Sequence, residues 1–302
     1  MLPETHLLFL PSTQLVVQSI VSAVLFGMIF ALVAAGLALI WGVADIVNFA
    51  HGEYMMIAMY LTLIASNDLG IDPLLMIPIN GILLFIAGYL TYILVISKVM
   101  DAPMLAQIFT TFAILLILRY SMLYIMGPHS VSVDNFVFSG HTTVYGISLS
   151  YPRMATAVVS AIALVAFLLF LKYSRTGKAI RATAQDWDAA RVMGIDTDRV
   201  LAITWGLGIA AVGVAGTMVA TFSPIQPELT PATWTIKAFA AVALGGFGSI
   251  LGAAAGGVVI AFVEHVGGAL LNPSFKELYV FLAFILALIF KPEGLLNRGG
   301  AK

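Results

Sequence analysis

Apolar runs of 15 to 29 residues recur along the whole chain, separated by short polar or glycine-bearing breaks. A helix that crosses a membrane needs about 20 mostly apolar residues. Stretches that meet or approach this lie at 14–42, 48–65, 74–97, 104–126, 153–171, 200–222, 249–271 and 276–290. A shorter segment, 234–246, predicts either a full crossing or a re-entrant half-helix. The first run, 29 residues long, would make a helix of about 43 Å against a hydrocarbon core near 30 Å. It is expected to tilt strongly or to break, with Gly36 and Gly42 as places to do so. Between spans, 127–152 reads differently: VSVDNFVF and TTVYGISLSY partly alternate around Ser139-Gly140-His141, which predicts a short β-hairpin. That loop fits either a cap over the bundle or a docking surface for an external partner. The expected fold is an all-α polytopic bundle of eight or nine spans, some broken, forming a single domain over 1–302.

Composition agrees with lipid as the solvent. Hydrophobic residues make up 61% and charged residues only 10%, whereas soluble chains carry roughly 25% charge. A net charge of −1 gives no field for nucleic acid. With no cysteine there is neither a disulfide nor a thiolate metal site. The first residues hold no Lys or Arg and Pro11 breaks their apolar stretch, so a retained N-terminus rather than a secretory signal is expected.

Basic residues set the orientation, because they concentrate on the cytoplasmic side. Lys172, Arg175, Lys178, Arg181, Arg191 and Arg199 fall in one polar stretch, Lys98 marks another turn, and Lys291, Arg298 and Lys302 mark the C-terminus. Loops 66–73, 127–152 and 223–233 contain none. The N-terminus is therefore expected outside and the C-terminus inside, provided that 234–246 crosses.

Three segments carry candidate chemistry. In Gly42–Glu53, four polar side chains (Asp45, Asn48, His51, Glu53) sit between two apolar runs. Charge at membrane depth costs roughly 2.5–3.5 kcal/mol even on lenient scales, so such residues belong to a protein-lined cavity or an interface. They fit an interfacial turn capped by Asp45 and Asn48, or part of a translocation pathway. A helix beginning near Asn48 would turn its amides toward that region. The second segment, Arg175–Gly194, has Ala179, Ile180, Ala182, Thr183, Ala190, Val192 and Met193 at positions that predict a short, partly amphipathic helix ending at Gly194. In the third, Thr235–Gly257, Gly252-x-x-x-Gly256 predicts close helix packing. Gly246, Phe247 and Ser249 mark a break there that either sets topology or lines the pathway opposite Asn48–Glu53. Glu264-His265 reads as a hydrogen-bonded pair, an interface anchor or a proton-sensitive gate. Arg119 is expected to snorkel to the outer interface, and Trp41, Trp187, Trp205 and Trp234 read as anchors.

Asp188-Ala189-Ala190-x-x-x-Gly194 resembles the Glu-Ala-Ala-x-x-x-Gly loop of ABC importer permeases, with Asp for Glu and no Ile-x-Leu-Pro element downstream. The surrounding GKAIRATAQDWDAARVMGIDTDRV, together with GLALIWGVADIVNFAHGEYMM and KAFAAVALGGFGSILGAAAGG, is similar to permease subunits of the branched-chain (leucine/isoleucine/valine-type) amino-acid ABC importers. The resemblance implies a bacterial inner-membrane subunit that works with a sister permease, two ABC ATPase subunits and a periplasmic substrate-binding protein. It also implies a coupling role for Arg181, Asp188, Ala189, Ala190, Arg191 and Gly194, and no cofactor or metal. No Gly-x-x-x-x-Gly-Lys-Ser/Thr is present to bind ATP in this chain. Relatives that carry urea, short amides or other amino acids look similar, and buried polar residues beside broken helices also suit a self-contained secondary transporter.

Overall fold

A computed structural model of the chain describes residues 13–290 and Gly294. The basic C-terminal residues Lys291, Arg298 and Lys302, and Pro11 near the start, lie outside the described residues. The polypeptide forms helices α1 Thr13–Ala44, α2 His51–Asn67, α3 Pro73–Leu94, α4 Met104–Met126, α5 Tyr151–Tyr173, α6 Arg175–Gln185, α7 Trp187–Val192, α8 Thr197–Val219, α9 Thr230–Gly245, α10 Ile250–Leu270 and α11 Lys276–Phe290. Two short strands, β1 His141–Val144 and β2 Ile147–Ser150, precede α5. Seven helical stretches among the described residues are long and apolar enough to cross a membrane. Helices α2 and α9, of 17 and 16 residues, are shorter.

The layout follows from where apolar residues can be buried. Every residue of α1 from Ile29 to Ile40 is buried, as expected of a helix that is hydrophobic all round and sits at the centre. Helices α5, α8, α9 and α10 pack about it. Helices α4 and α11 are peripheral and bury few residues, leaving apolar faces for lipid or a partner.

Three expectations change. The first helix does not break at Gly36 or Gly42; it runs unbroken for 32 residues. Those glycines are points of close approach instead. A Cβ at Gly36 would come 2.6 Å from the Gly208 carbonyl oxygen, and one at Gly42 would come 2.9 Å from Gly248 Cα. The hairpin turns at Tyr145-Gly146 rather than at Ser139-Gly140, with Val144 opposite Ile147. Both turn residues have positive φ, +50° and +80°, the geometry a two-residue turn needs to match strand twist. VSVDNFVF is not one of its strands; it makes an isolated bridge from Val131 to Ile225. Trp205 and Trp234, expected at interfaces, are buried in the core.

Helix α9 spans 16 residues, and Pro231 in its first turn lies against Gly52 of α2. It starts just beyond Ile225, which bridges to the hairpin loop, and ends at Gly245, packed against Gly252 of α10. A Cβ on Gly252 or Gly256 would strike the Gly245 or Ala241 carbonyl oxygen, so the Gly-x-x-x-Gly spacing lets the two backbones meet. The bundle thus has a hairpin end and a basic end, the latter carrying α6 and α7.

Candidate functional site

The chain leaves α1 at Asp45, whose φ of +54° stops the helix, and the next five residues turn back into the bundle. Buried His51 begins α2, and its Nε2 lies 3.0 Å from the Val33 carbonyl oxygen. Val33 is three turns before the end of α1, about 16 Å along the axis. Helix α2 therefore starts inside the bundle, where non-helical backbone survives only if protein surrounds it. Several contacts supply that surround. Asn48 Oδ1 accepts from Ala50 N (3.1 Å), Gly52 N donates to Thr235 Oγ1 of α9 (3.0 Å), and Thr111 Oγ1 of α4 donates to the Val47 carbonyl (2.8 Å). Gly52 has to be glycine, because a Cβ there would overlap the Pro231 carbonyl and the Thr235 hydroxyl.

Glu53, the next residue, is fully buried and accepts from Arg119 of α4 through both Nε (3.1 Å) and Nη2. Arg119 does not snorkel away; burying Glu53 without a counter-charge would cost more than bringing the guanidinium inward. Asn48, His51 and Glu53 are all buried, but His51 turns toward α1 and Glu53 toward α4; each keeps one buried polar atom (Nδ2, Nδ1 and Oε2) without a partner among the described residues. Asp45 does not join them; it is exposed at the basic end.

At the basic end, the segment expected as one helix is two. Ser174 Oγ caps α6 by accepting from Gly177 N, and Asp186 Oδ1 caps α7 by accepting from Asp188 N and Ala189 N, both 2.9 Å. Ala190 is buried, Asp188 and Ala189 face out, and Gly194 closes the turn with φ +82°. Arg191 is occupied internally, donating from Nε to Thr197 Oγ1 at 2.7 Å. Val192 and Met193 are 86% and 81% exposed, an apolar tip beside the charges. Trp187 Nε1 donates to the Val43 carbonyl oxygen at 3.0 Å, tying α7 to the last turn of α1 just before the chain re-enters the bundle.

The break after α9 lies against that same last turn. Gly246, with φ +102°, stops α9, Phe247 stacks on Trp41 with ring centres 4.5 Å apart, and Ser249 Oγ caps α10 through Gly252 N. A cavity of about 650 Å³ is lined there by Gly42, Lys172, Arg181, Gly248 and Ser249 among mostly apolar residues. The pathway candidates thus divide. Asn48, His51 and Glu53 sit deep, while Gly246–Ser249 and Asp45 sit toward the basic end with Arg181.

Glu264 and His265 do not bond to each other. Glu264 Oε1 accepts from Lys237 Nζ of α9 at 2.8 Å, and His265 Nδ1 lies 3.0 Å from the Ala261 carbonyl with its ring 4.5 Å from that of Phe26. Sequence reasoning missed Lys237, Thr111 and Thr235. For Lys237 the signal was present, since a lone ammonium inside an apolar stretch needs a buried partner.

Seven helices long and apolar enough to cross a membrane, with re-entrant backbone and buried polar groups among them, fit a multi-pass membrane permease. The family model for the permease component of branched-chain amino acid transport systems matches residues 19–290, and the chain belongs to that family. The permease protein LivH of the Escherichia coli high-affinity branched-chain amino acid transport system is 30% identical over 93% of this chain and 95% of its own length. BraD of the corresponding Pseudomonas aeruginosa system is 30% identical with the same coverage. A probable LivH from Methanocaldococcus jannaschii is 28% identical over 88% of this chain and 86% of its own length. No solved structure matches the chain.

Proposed function

We propose that this chain is the transmembrane subunit of an ATP-driven importer that carries branched-chain or chemically similar amino acids inward. It forms one permease domain over its whole length, with its N-terminus outside and its C-terminus inside the cell membrane. A sister permease completes the pathway, two ATPases dock at α6–α7, and a binding protein delivers cargo at the hairpin end. The basic charge of 172–199 supports the orientation, and the family membership supports the partners and the cargo.

The observation that carries the coupling role is the bond from Trp187 to Val43. Docked ATPases would grip the exposed Ala189, Val192 and Met193, and their closure would move α7. That displacement passes through Trp187 to the end of α1 and so to the re-entrant segment holding Asn48, His51 and Glu53. Two packed arrangements of that segment, favoured in turn by ATP-bound and ATP-free partners, give alternating access.

Ala189→Trp places bulk on the proposed grip without disturbing the bundle. ATP-driven uptake by the assembled transporter is expected to fall at least tenfold, with membrane insertion unchanged. Undiminished uptake with the ATPases still attached would remove the coupling role.

A further inference from the structure

Lys237 does more than neutralise Glu264. It also lines a cavity of about 390 Å³ between α9 and α11, within the roughly 300–1,000 Å³ usual for small-ligand sites. One Nζ–H goes to Glu264 Oε1, and an ammonium has three donors, so two stay free for a ligand. The Phe30 and Trp234 ring centres stand 5.3 and 5.9 Å from Nζ, holding the charge on two aromatic faces. From α11, Glu277 lines the same cavity and forms no ion pair among the described residues. The other walls are mostly apolar, with Val280 buried at the base and Leu229, Ile236 and Phe281 about half exposed at the rim. A neighbouring cavity of about 200 Å³ shares Leu229 and Thr233 and is lined by Ser130, Ser223 and Gln226, which gives a polar approach from the hairpin end.

A cation on α9, a carboxylate on α11 and a mostly apolar lining shared by both helices complement one kind of small molecule. We infer that this cavity binds a zwitterionic α-amino acid with an aliphatic side chain. Its carboxylate meets Lys237, its ammonium meets Glu277, and its side chain lies on Leu229, Ile236, Val280 and Phe281. The inference rests on the amino-acid permease reading and adds where the cargo first sits in this chain. Both charges of such a ligand need partners on leaving water, because an unpaired charge in an apolar site is prohibitively costly. A molecule lacking either charge would leave Lys237 or Glu277 without its gain.

The test measures binding of radiolabelled L-leucine to the full chain in phosphatidylcholine nanodiscs, with leucinol (no carboxylate) and 4-methylpentanoate (no ammonium) as competitors. Saturable leucine binding is expected, with each competitor at least tenfold weaker than unlabelled leucine. Glu277→Gln and Lys237→Met should each weaken binding at least tenfold. Ala232→Trp fills the cavity from α9 without touching the buried pair, so it reports even if Lys237→Met misfolds. Unchanged leucine binding in Ala232→Trp, or leucinol competing as well as leucine, overturns the site. So does a phospholipid found in the cavity that leucine does not displace, since a zwitterionic headgroup offers the same charges. Full ATP-driven leucine uptake by Ala232→Trp with its ATPases sinks the site and leaves the permease reading standing. A wild-type transporter that neither binds nor carries leucine sinks the reading underneath.

Discussion

The two buried ion pairs, Glu53–Arg119 and Lys237–Glu264, share their chemistry but differ in what surrounds it. Glu53 is wholly enclosed, and Arg119 reaches it with two N–H groups on one oxygen. Its partner helix α4 otherwise touches the bundle little, so the pair and the Thr111–Val47 bond fasten a peripheral helix beside the re-entrant segment. Lys237 and Glu264 instead lie on neighbouring helices already brought together by Gly252 and Gly256. Their side chains are 12% and 11% exposed, and the ammonium borders a cavity. Arg119 itself is 22% exposed, so the contrast lies in the donors: a planar fork that spends two N–H groups on one oxygen holds position, whereas a compact ammonium with spare donors beside a cavity stays available. The difference teaches that an intramembrane charge pair is a clasp or a site according to whether space remains beside it.

That contrast can be broken by mutation. The largest effect is expected for Arg119→Ala, which leaves the fully buried Glu53 carboxylate without its counter-charge. A loss of about 3–5 kcal/mol follows from removing one partner of a buried pair, seen as a large fall in unfolding temperature by tryptophan fluorescence in nanodiscs. Adding Glu53→Gln to Arg119→Gln should restore most of it, and failure of that rescue would mean that the charges do more than pair. Lys237→Met should lower the unfolding temperature less than Arg119→Ala does, because the Glu264 side chain is 11% exposed and Glu53 is wholly enclosed; an equal fall would erase the distinction between clasp and site. The smallest effect is expected for Thr111→Val, which leaves the Val47 carbonyl without its donor. About 1 kcal/mol is the usual cost, and an unchanged melting curve would show that α4 does not depend on this bond.

Much of this architecture is legible in the chain itself. The spans, the break after α1, the break between α9 and α10, the basic segment and the Gly-x-x-x-Gly contact all follow from hydropathy and glycine spacing, which act locally. Asp188-Ala189-Ala190 and Gly194 were visible as a motif, though not that Asp186 would split the segment into two helices or that Trp187 would reach Val43. Nor did Tyr145-Gly146 announce itself as the turn over Ser139-Gly140, because both pairs carry a glycine and only pairing with the partner strand selects the register.

The sequence by itself determined that the chain lives in lipid, which of its longer stretches are apolar enough to cross and which family it resembles. Only the tertiary structure decided which charges meet. Arg119 finds Glu53 from 66 residues away and Lys237 finds Glu264 from 27. The reason is that helices in lipid are apolar on every side, as α1 is from Ile29 to Ile40. Such a helix carries no contrast between an inner and an outer face. Its rotation, its neighbours and the depth at which α2 begins are fixed by packing and by the need of each buried polar group for a partner, and both exist only once the helices have assembled.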